Sequence, residues 1–283
     1  MNRRNMMMMT GIAALTAAIP TPTASASPAV GRNPLPNQPP PDAAAVGTYL
    51  FHDEFDGPAG AAPDPGKWLV QNWDDPVVPP MAGHYRNDRR NVFVDGNSNL
   101  VLCATREGPQ YFSGKVLSHW RGQIGTTWEA RIKLDCMFPG LWPAFWLLNQ
   151  DPLPDGEIDV MEYYGNGLWP PGTTVHAASN GRTWEGKSIP QLVDGGWHNW
   201  RVHWGEDGFK FWRDYVDGAA PYFTVPPNPI PVHGRPGDER WPFSIPGYWM
   251  QAILNLGVGG SGGGDPTRAP YPSVMLVDWI RVW

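Results

Sequence analysis

From Tyr49 onward no stretch carries a long apolar stripe at the helical period of 3.6 residues. Instead the chain breaks into short runs rich in Val, Ile, Trp, Phe and Tyr. They include VFVD (92–95), LVLCAT (100–105), TWEARIKL (127–134), AFWLLN (144–149), EIDVME (157–162), NWRVHW (199–204), KFWRDYV (210–216), QAILNLGV (251–258) and MLVDWIRVW (275–283). The turn pairs Asp95-Gly96, Asp155-Gly156, Asp207-Gly208 and Asp217-Gly218 punctuate them. Runs of this length and composition predict strands, so the expected fold is an all-β sandwich or barrel. In TWEARIKL, Trp128, Ala130, Ile132 and Leu134 share one face, and Glu129, Arg131 and Lys133 share the other. That alternation predicts a half-buried antiparallel strand. AFWLLN is apolar on both faces. It fits either a strand between core and aromatic groove or one buried on both sides, and periodicity does not separate the two.

The 283 residues suit one large β domain plus an export segment. Residues 1–26 read as a signal peptide: Arg3-Arg4, an apolar stretch over 6–19, and the small-residue site Ala24-Ser25-Ala26. The paired arginines suggest the twin-arginine route, with an ordinary secretory signal as the alternative. Either route predicts a secreted or cell-envelope protein. Residues 27–47, rich in Pro and Ala, read as a disordered linker, and 48–283 as the folded domain. No later apolar run approaches the ~20 residues needed to cross a bilayer, so no membrane association is expected after signal removal.

The net charge of −6, without a basic stripe, argues against a nucleic-acid partner and fits a neutral ligand. Sixteen Trp residues exceed what a core of this size needs, so a fraction is expected on a binding surface. Cys103 and Cys136 match no zinc spacing, and they could pair or remain buried thiols.

The segment Gly156-Glu157-Ile158-Asp159-Val160-Met161-Glu162 places three acids in six residues among apolar neighbours. In a regular strand Glu157 and Asp159 share a face, whereas Glu162, five residues from Glu157, points to the other. One extra residue in a β-bulge at Val160-Met161 would return it to the same side. Two carboxylates about 5–5.5 Å apart suit a double displacement at a glycosidic bond with retention of configuration. A third acid between them can hold a proton and keep their pKa values apart. The bland alternatives are a solvated acidic face and a calcium loop, and the segment lacks the Gly and acid count of the latter.

This segment resembles the signature of glycoside hydrolase family 16 in its bulged form. FHDEFDG (51–57), NVFVDGNSNLVLCAT (91–105), GLWPAFWLLN (140–149), GWHNWRVHW (196–204), ILNLGVGG (253–260) and MLVDWIRVW resemble successive blocks of that family, in order. The nearest branch resembles the bacterial laminarinase-like endo-1,3-β-glucanases. The resemblance implies a concanavalin-like jelly roll, two curved antiparallel sheets with a cleft on the concave face. It implies Glu157 as nucleophile, Asp159 as helper and Glu162 as general acid/base. It assigns Trp142, Trp146, His176, Asn91, Tyr85 and Asn255 to substrate binding. For His176 and Asn255 a structural role is the alternative, and of Trp142 and Trp146 one is expected to stack a sugar and the other to pack in the core. It also implies a structural Ca2+ on the convex face, with Glu54 and Asp278 as candidates; catalysis requires no cofactor. Two positions depart from the branch. Leu153 stands where relatives place a Trp before the nucleophile, and the loop GGSGGGDP (259–266) lacks a further Trp.

The expected activity is endo-hydrolysis of β-1,3-glucan by a monomer. The alternatives are a hydrolase or transglycosylase acting on another β-glycan, such as a galactan or mixed-linkage glucan, and a non-catalytic carbohydrate-binding protein.

Overall fold

The computed structural model describes residues 49–72, 82–149, 156–179, 182–185, 189–190, 193–228, 230–231 and 239–283. The expected signal, the linker and Leu153 lie outside the described residues. Two large sheets form a jelly-roll sandwich. One contains ten strands, in the order Phe223–Val225, Gly208–Arg213, Trp197–Gly205, Thr127–Asp135, Ser273–Val282, Leu100–Glu107, Gln110–Ser113 and Gly83–Tyr85. Phe51–Asp53 pairs with Ser273–Val282 and Val92–Val94 with Leu100–Glu107. The other contains eight, in the order Arg182–Glu185, Gly172–Ser179, Gly156–Glu162, Leu141–Leu148, Gln251–Val258, Lys115–Ser118 and Trp68–Val70. Its eighth strand, Ile189–Pro190, pairs with Gly172–Ser179. Pairing is antiparallel except between Gly83–Tyr85 and Gln110–Ser113.

Residues at alternate positions fill the space between the sheets. Trp128, Ala130, Ile132 and Leu134 are buried there, as their period of two requires. Trp204 lies among Phe209, Phe243 and Tyr248, with centroid separations of 6.1, 6.5 and 6.2 Å. Its indole donates to the Phe243 carbonyl at 3.1 Å, so a large apolar ring is buried without stranding its N–H. The opposite face of Thr127–Asp135 is less open than alternation suggests. Glu129 is only 1% exposed and accepts from Arg201 Nη2 at 2.9 Å. Burial raises the Glu129 carboxyl pKa, against the pull of that arginine. Cys103 and Cys136 are unpaired and buried.

The Asp207-Gly208 turn closes the hairpin between Trp197–Gly205 and Gly208–Arg213. Gly208 has φ +99°, and a Cβ there would stand 2.0 Å from the Val225 carbonyl oxygen. Both the left-handed backbone and the neighbouring strand therefore demand glycine. Gly208→Ala is expected to destabilise the fold by about 2–4 kcal/mol, seen in thermal unfolding as a Tm loss of roughly 5–15 °C. An unchanged Tm would contradict this account of the hairpin.

Candidate active site

The eight-stranded sheet carries the acids on the face away from the core. Ile158, Val160 and Met161 all belong to the main core cluster. Two consecutive core-facing residues, Val160 and Met161, are the mark of a bulge. The register shows it directly. Against Leu141–Leu148, Asp159 lies opposite Trp146 and Met161 opposite Phe145, so Val160 is the extra residue. Against Gly172–Ser179, the pairing shifts between Asp159 and Glu162. The bulge expected from spacing alone is present, and it brings Glu162 to the face of Glu157 and Asp159. Asp159, Glu162, Trp146, Asn255 and Lys115 are 3–7% exposed although they face away from the core. A sheet face that lies outside the core yet shields its side chains is a recessed one.

The carboxylates are held by specific donors. Trp142 Nε1 donates to Glu162 Oε1 at 2.8 Å, and the Tyr164 hydroxyl donates to Glu162 Oε2. His176 lies opposite Glu157 in the ladder and places Nε2 3.0 Å from Asp159 Oδ2. Glu157, Asp159 and His176 each direct an atom into a space within 4.8 Å. The six acids and aromatics thus come from four segments: the bulged strand, the tyrosine just after it, and the strands on either side.

Burial dominates the electrostatics. It pushes the Glu157 carboxyl well above the usual carboxylate range, with the Asp159 charge adding to it and the His176 and Lys115 charges opposing. Burial, then the Glu162 charge, pushes Asp159 well above its usual value. Burial also raises Glu162, against the donors Tyr164 and Trp142. Burial of Asp159 and Glu162, and the half-buried position of Glu157 beside them, therefore favours the protonated form of each carboxyl over that of an exposed acid.

Those raised values have a stability consequence. Above the ordinary Asp value of 3.8 the folded protein binds protons that the unfolded chain has released. Stability then falls as pH rises from that value through the raised one. Asp159→Asn removes this term. Its Tm is expected to exceed that of the parent by about 2–6 °C at pH 7, with the gain vanishing below pH ~4. Calorimetric scans across that range check it, and a gain that persisted in acid would refute the electrostatic cause.

The aromatic and polar candidates divide. Trp146 lies on the recessed face with Leu117, Ala144, Ile253 and Leu148. Its indole donates to Asn255 Oδ1 at 2.6 Å, so Asn255 orients the tryptophan. Lys115 Nζ stands 4.8 Å from the Trp146 ring and 5.5 Å from that of Tyr85, placing Tyr85 beside this group. Trp142 is partly covered: a Cβ on Gly262 would meet its ring at 2.4 Å. Within the run 259–264 it is Gly262 that packs closely against the Trp142 ring. Asn91 does not reach the recess. It is 0% exposed and donates to the Cys103 carbonyl at 2.8 Å and to Thr105 Oγ1 at 3.0 Å.

The calcium candidates do not fit a cation. Glu54 accepts two hydrogen bonds from Arg281, both at 2.9 Å, and Asp278 pairs with Arg131 at 2.6 Å. Each carboxylate is already neutralised by its own guanidinium, whose charge would oppose Ca2+.

Tyr164, Trp169 and Lys115 were not singled out from sequence. Tyr164 follows the acid motif by two residues, a spacing that could have marked it. Lys115 and Trp169 carry no local signal, because their relation to the acids runs through cross-strand pairing and a loop.

A jelly-roll sandwich with a bulged strand presenting two glutamates and an aspartate on a recessed sheet face is the build of glycan-cleaving proteins. The chain belongs to glycosyl hydrolases family 16, whose model matches residues 83–227. It is 57% identical to an immunostimulatory antigen and pseudo beta-1,3-glucanase of Mycobacterium tuberculosis, covering 84% of this chain and 99% of that one, with a TM-score of 0.76. It is 54% identical to a beta-1,3-glucanase from Mycobacterium marinum, covering 84% and 100%, with a TM-score of 0.75. It is 31% identical to glucan endo-1,3-beta-glucosidase A1 of Niallia circulans over 86% of this chain and 39% of that protein. The chain spans 27–54% of the length of the four curated relatives it matches.

Proposed function

We propose that this protein is an exported, retaining endo-β-glycoside hydrolase that cleaves internal β-1,3 bonds of laminarin-type glucans. The observation that carries the reading is the bulge at Val160, which sets Glu157, Asp159 and Glu162 on one recessed face. In this mechanism Glu157 attacks the anomeric carbon while Glu162 protonates the departing oxygen. Glu162, then a carboxylate, takes a proton from water, which cleaves the glycosyl ester with a second inversion. Asp159, whose Oδ2 lies 3.0 Å from His176 Nε2 and which stands between the two glutamates on the strand, accepts and returns a proton of the cluster. The names of the relatives from Mycobacterium marinum and Niallia circulans support the β-1,3 linkage.

A second reading is a carbohydrate-binding protein with little turnover. The name of the Mycobacterium tuberculosis relative, a pseudo beta-1,3-glucanase, favours it. Reducing-end release from laminarin, mixed-linkage glucan and galactan decides between them. The hydrolase reading expects cleavage of laminarin with the β anomer formed first in product NMR. Release from galactan alone would overturn the linkage, an initial α anomer would overturn retention, and binding without release would favour the second reading.

A further inference from the structure

We propose that Trp169 is the aromatic platform for the sugar on the leaving-group side of the scissile bond, an inference that rests on the proposed glycan reading. Trp169 stands on the segment linking Gly156–Glu162 to Gly172–Ser179. In the sheet, Gly172–Ser179 lies on the side of the acid strand opposite Leu141–Leu148 and Gln251–Val258. Those two strands carry Trp146 and Asn255. A glycan crossing the sheet therefore meets Trp146 on one side of Glu162 and the Trp169 segment on the other.

Contact with the acid is direct in chain terms. Tyr164 donates to Glu162, and the Trp169 ring meets the Tyr164 ring at 90° with centroids 5.3 Å apart. Trp169 therefore stands one aromatic ring away from the general acid, within reach of a sugar bound next to the one whose bond is cut. The sugar attached to the oxygen that the acid protonates is the leaving group.

Trp169 is also built as a platform. It is 48% exposed, while Trp146 is 7% exposed and Trp142 is half-buried against Gly262. Leu168 at 80% and Phe138 at 39% extend the apolar surface. Their segments meet at Gly165, where a Cβ would stand 2.5 Å from the Phe138 carbonyl oxygen. The position is fixed by Asn166. Its side-chain oxygen accepts from Leu168 N at 2.9 Å and Trp169 N at 3.1 Å, and its amide donates to the Ser261 carbonyl at 2.8 Å. An exposed indole on a tethered loop loses little freedom when a pyranose ring stacks on it. This placement offsets the stacking area missing from the glycine run 259–264.

The test compares a sugar leaving group with a non-sugar one. In Trp169→Ala, kcat/KM on laminarin is expected to fall at least about fivefold more than on β-laminaribiosyl fluoride, whose fluoride leaving group is too small to stack on an indole. Trp169→Phe should restore most of the loss. In parallel, laminarihexaose binding is measured by calorimetry in a Glu157→Gln background, where Trp169→Ala should weaken it at least about fivefold. Equal losses on both substrates would mean a merely structural role and overturn the proposal, as would unchanged laminarin kinetics. If the parent cuts nothing but binds laminarihexaose, and Trp169→Ala weakens that binding, the platform stands and the hydrolase reading falls. If binding is unaffected by Trp169→Ala, the platform falls whatever the activity. If laminarihexaose does not bind, both fall.

Discussion

Glu157→Gln is expected to lower the release of reducing ends from laminarin by at least ~10³-fold, while the protein folds with an unchanged or higher Tm. An amide has nearly the volume of the carboxylate, but its neutral oxygen is a far weaker nucleophile toward the anomeric carbon. Its neutrality also relieves a group that burial and Asp159 penalise when charged. A sharper form of the experiment uses Glu157→Ala with azide and an activated aryl glycoside. Azide then enters the face that Glu157 vacated and displaces the aryl group once, giving the α-glycosyl azide. A β-azide from this variant would show that Glu157 is not the nucleophile.

Glu162→Gln is expected to behave differently. The loss on laminarin should be ~10²–10⁴-fold, the usual contribution of a general acid. On a substrate with a dinitrophenolate leaving group the first displacement needs no acid, so ester formation should remain fast and the ester should accumulate. A burst of dinitrophenolate followed by slow turnover is the expected signal. Azide added to Glu162→Ala should attack that ester and give the β-azide, by two displacements. The same large loss on both substrates, without a burst, would move the acid role away from Glu162. Trp142 and Tyr164 hold both oxygens of this carboxyl, so its geometry is set before substrate arrives.

Much of this was legible in the chain itself. The run QAILNLGV coincides with the strand Gln251–Val258. TWEARIKL lies within Thr127–Asp135, with its apolar face in the core. AFWLLN proved to be the groove-lining case: Phe145 and Leu147 face the core while Ala144 and Trp146 face the recess. The strand begins three residues earlier than the run, at Leu141, because Pro143 does not break its pairing with Leu256. The outward face of Thr127–Asp135 is half-buried at Arg131 and Lys133, and closed at Glu129 by its ion-pair partner Arg201 from the neighbouring strand.

The candidate binding residues were less legible than the acids. Asn91 sits in a block that resembles the family's cleft wall, yet its amide is consumed by Cys103 and Thr105. Lys115 and Trp146 meet only because Lys115–Ser118 and Leu141–Leu148 both pair with Gln251–Val258, far along the chain. The partners of the two carboxylates named for calcium were equally hidden: Arg131 and Arg281, distant in sequence, pair with Asp278 and Glu54.

The sequence by itself determined the acid motif, its need for a bulge and the alternation that makes the strands. Those are local properties, because the strand period of two decides which face a residue takes from its spacing alone. Only the tertiary structure decided what surrounds the acids: Trp142 and Tyr164 on Glu162, His176 beside Asp159, and Trp169 on the flank. These contacts depend on strand order and loop closure, which bring together residues whose separation along the chain carries no trace of their meeting.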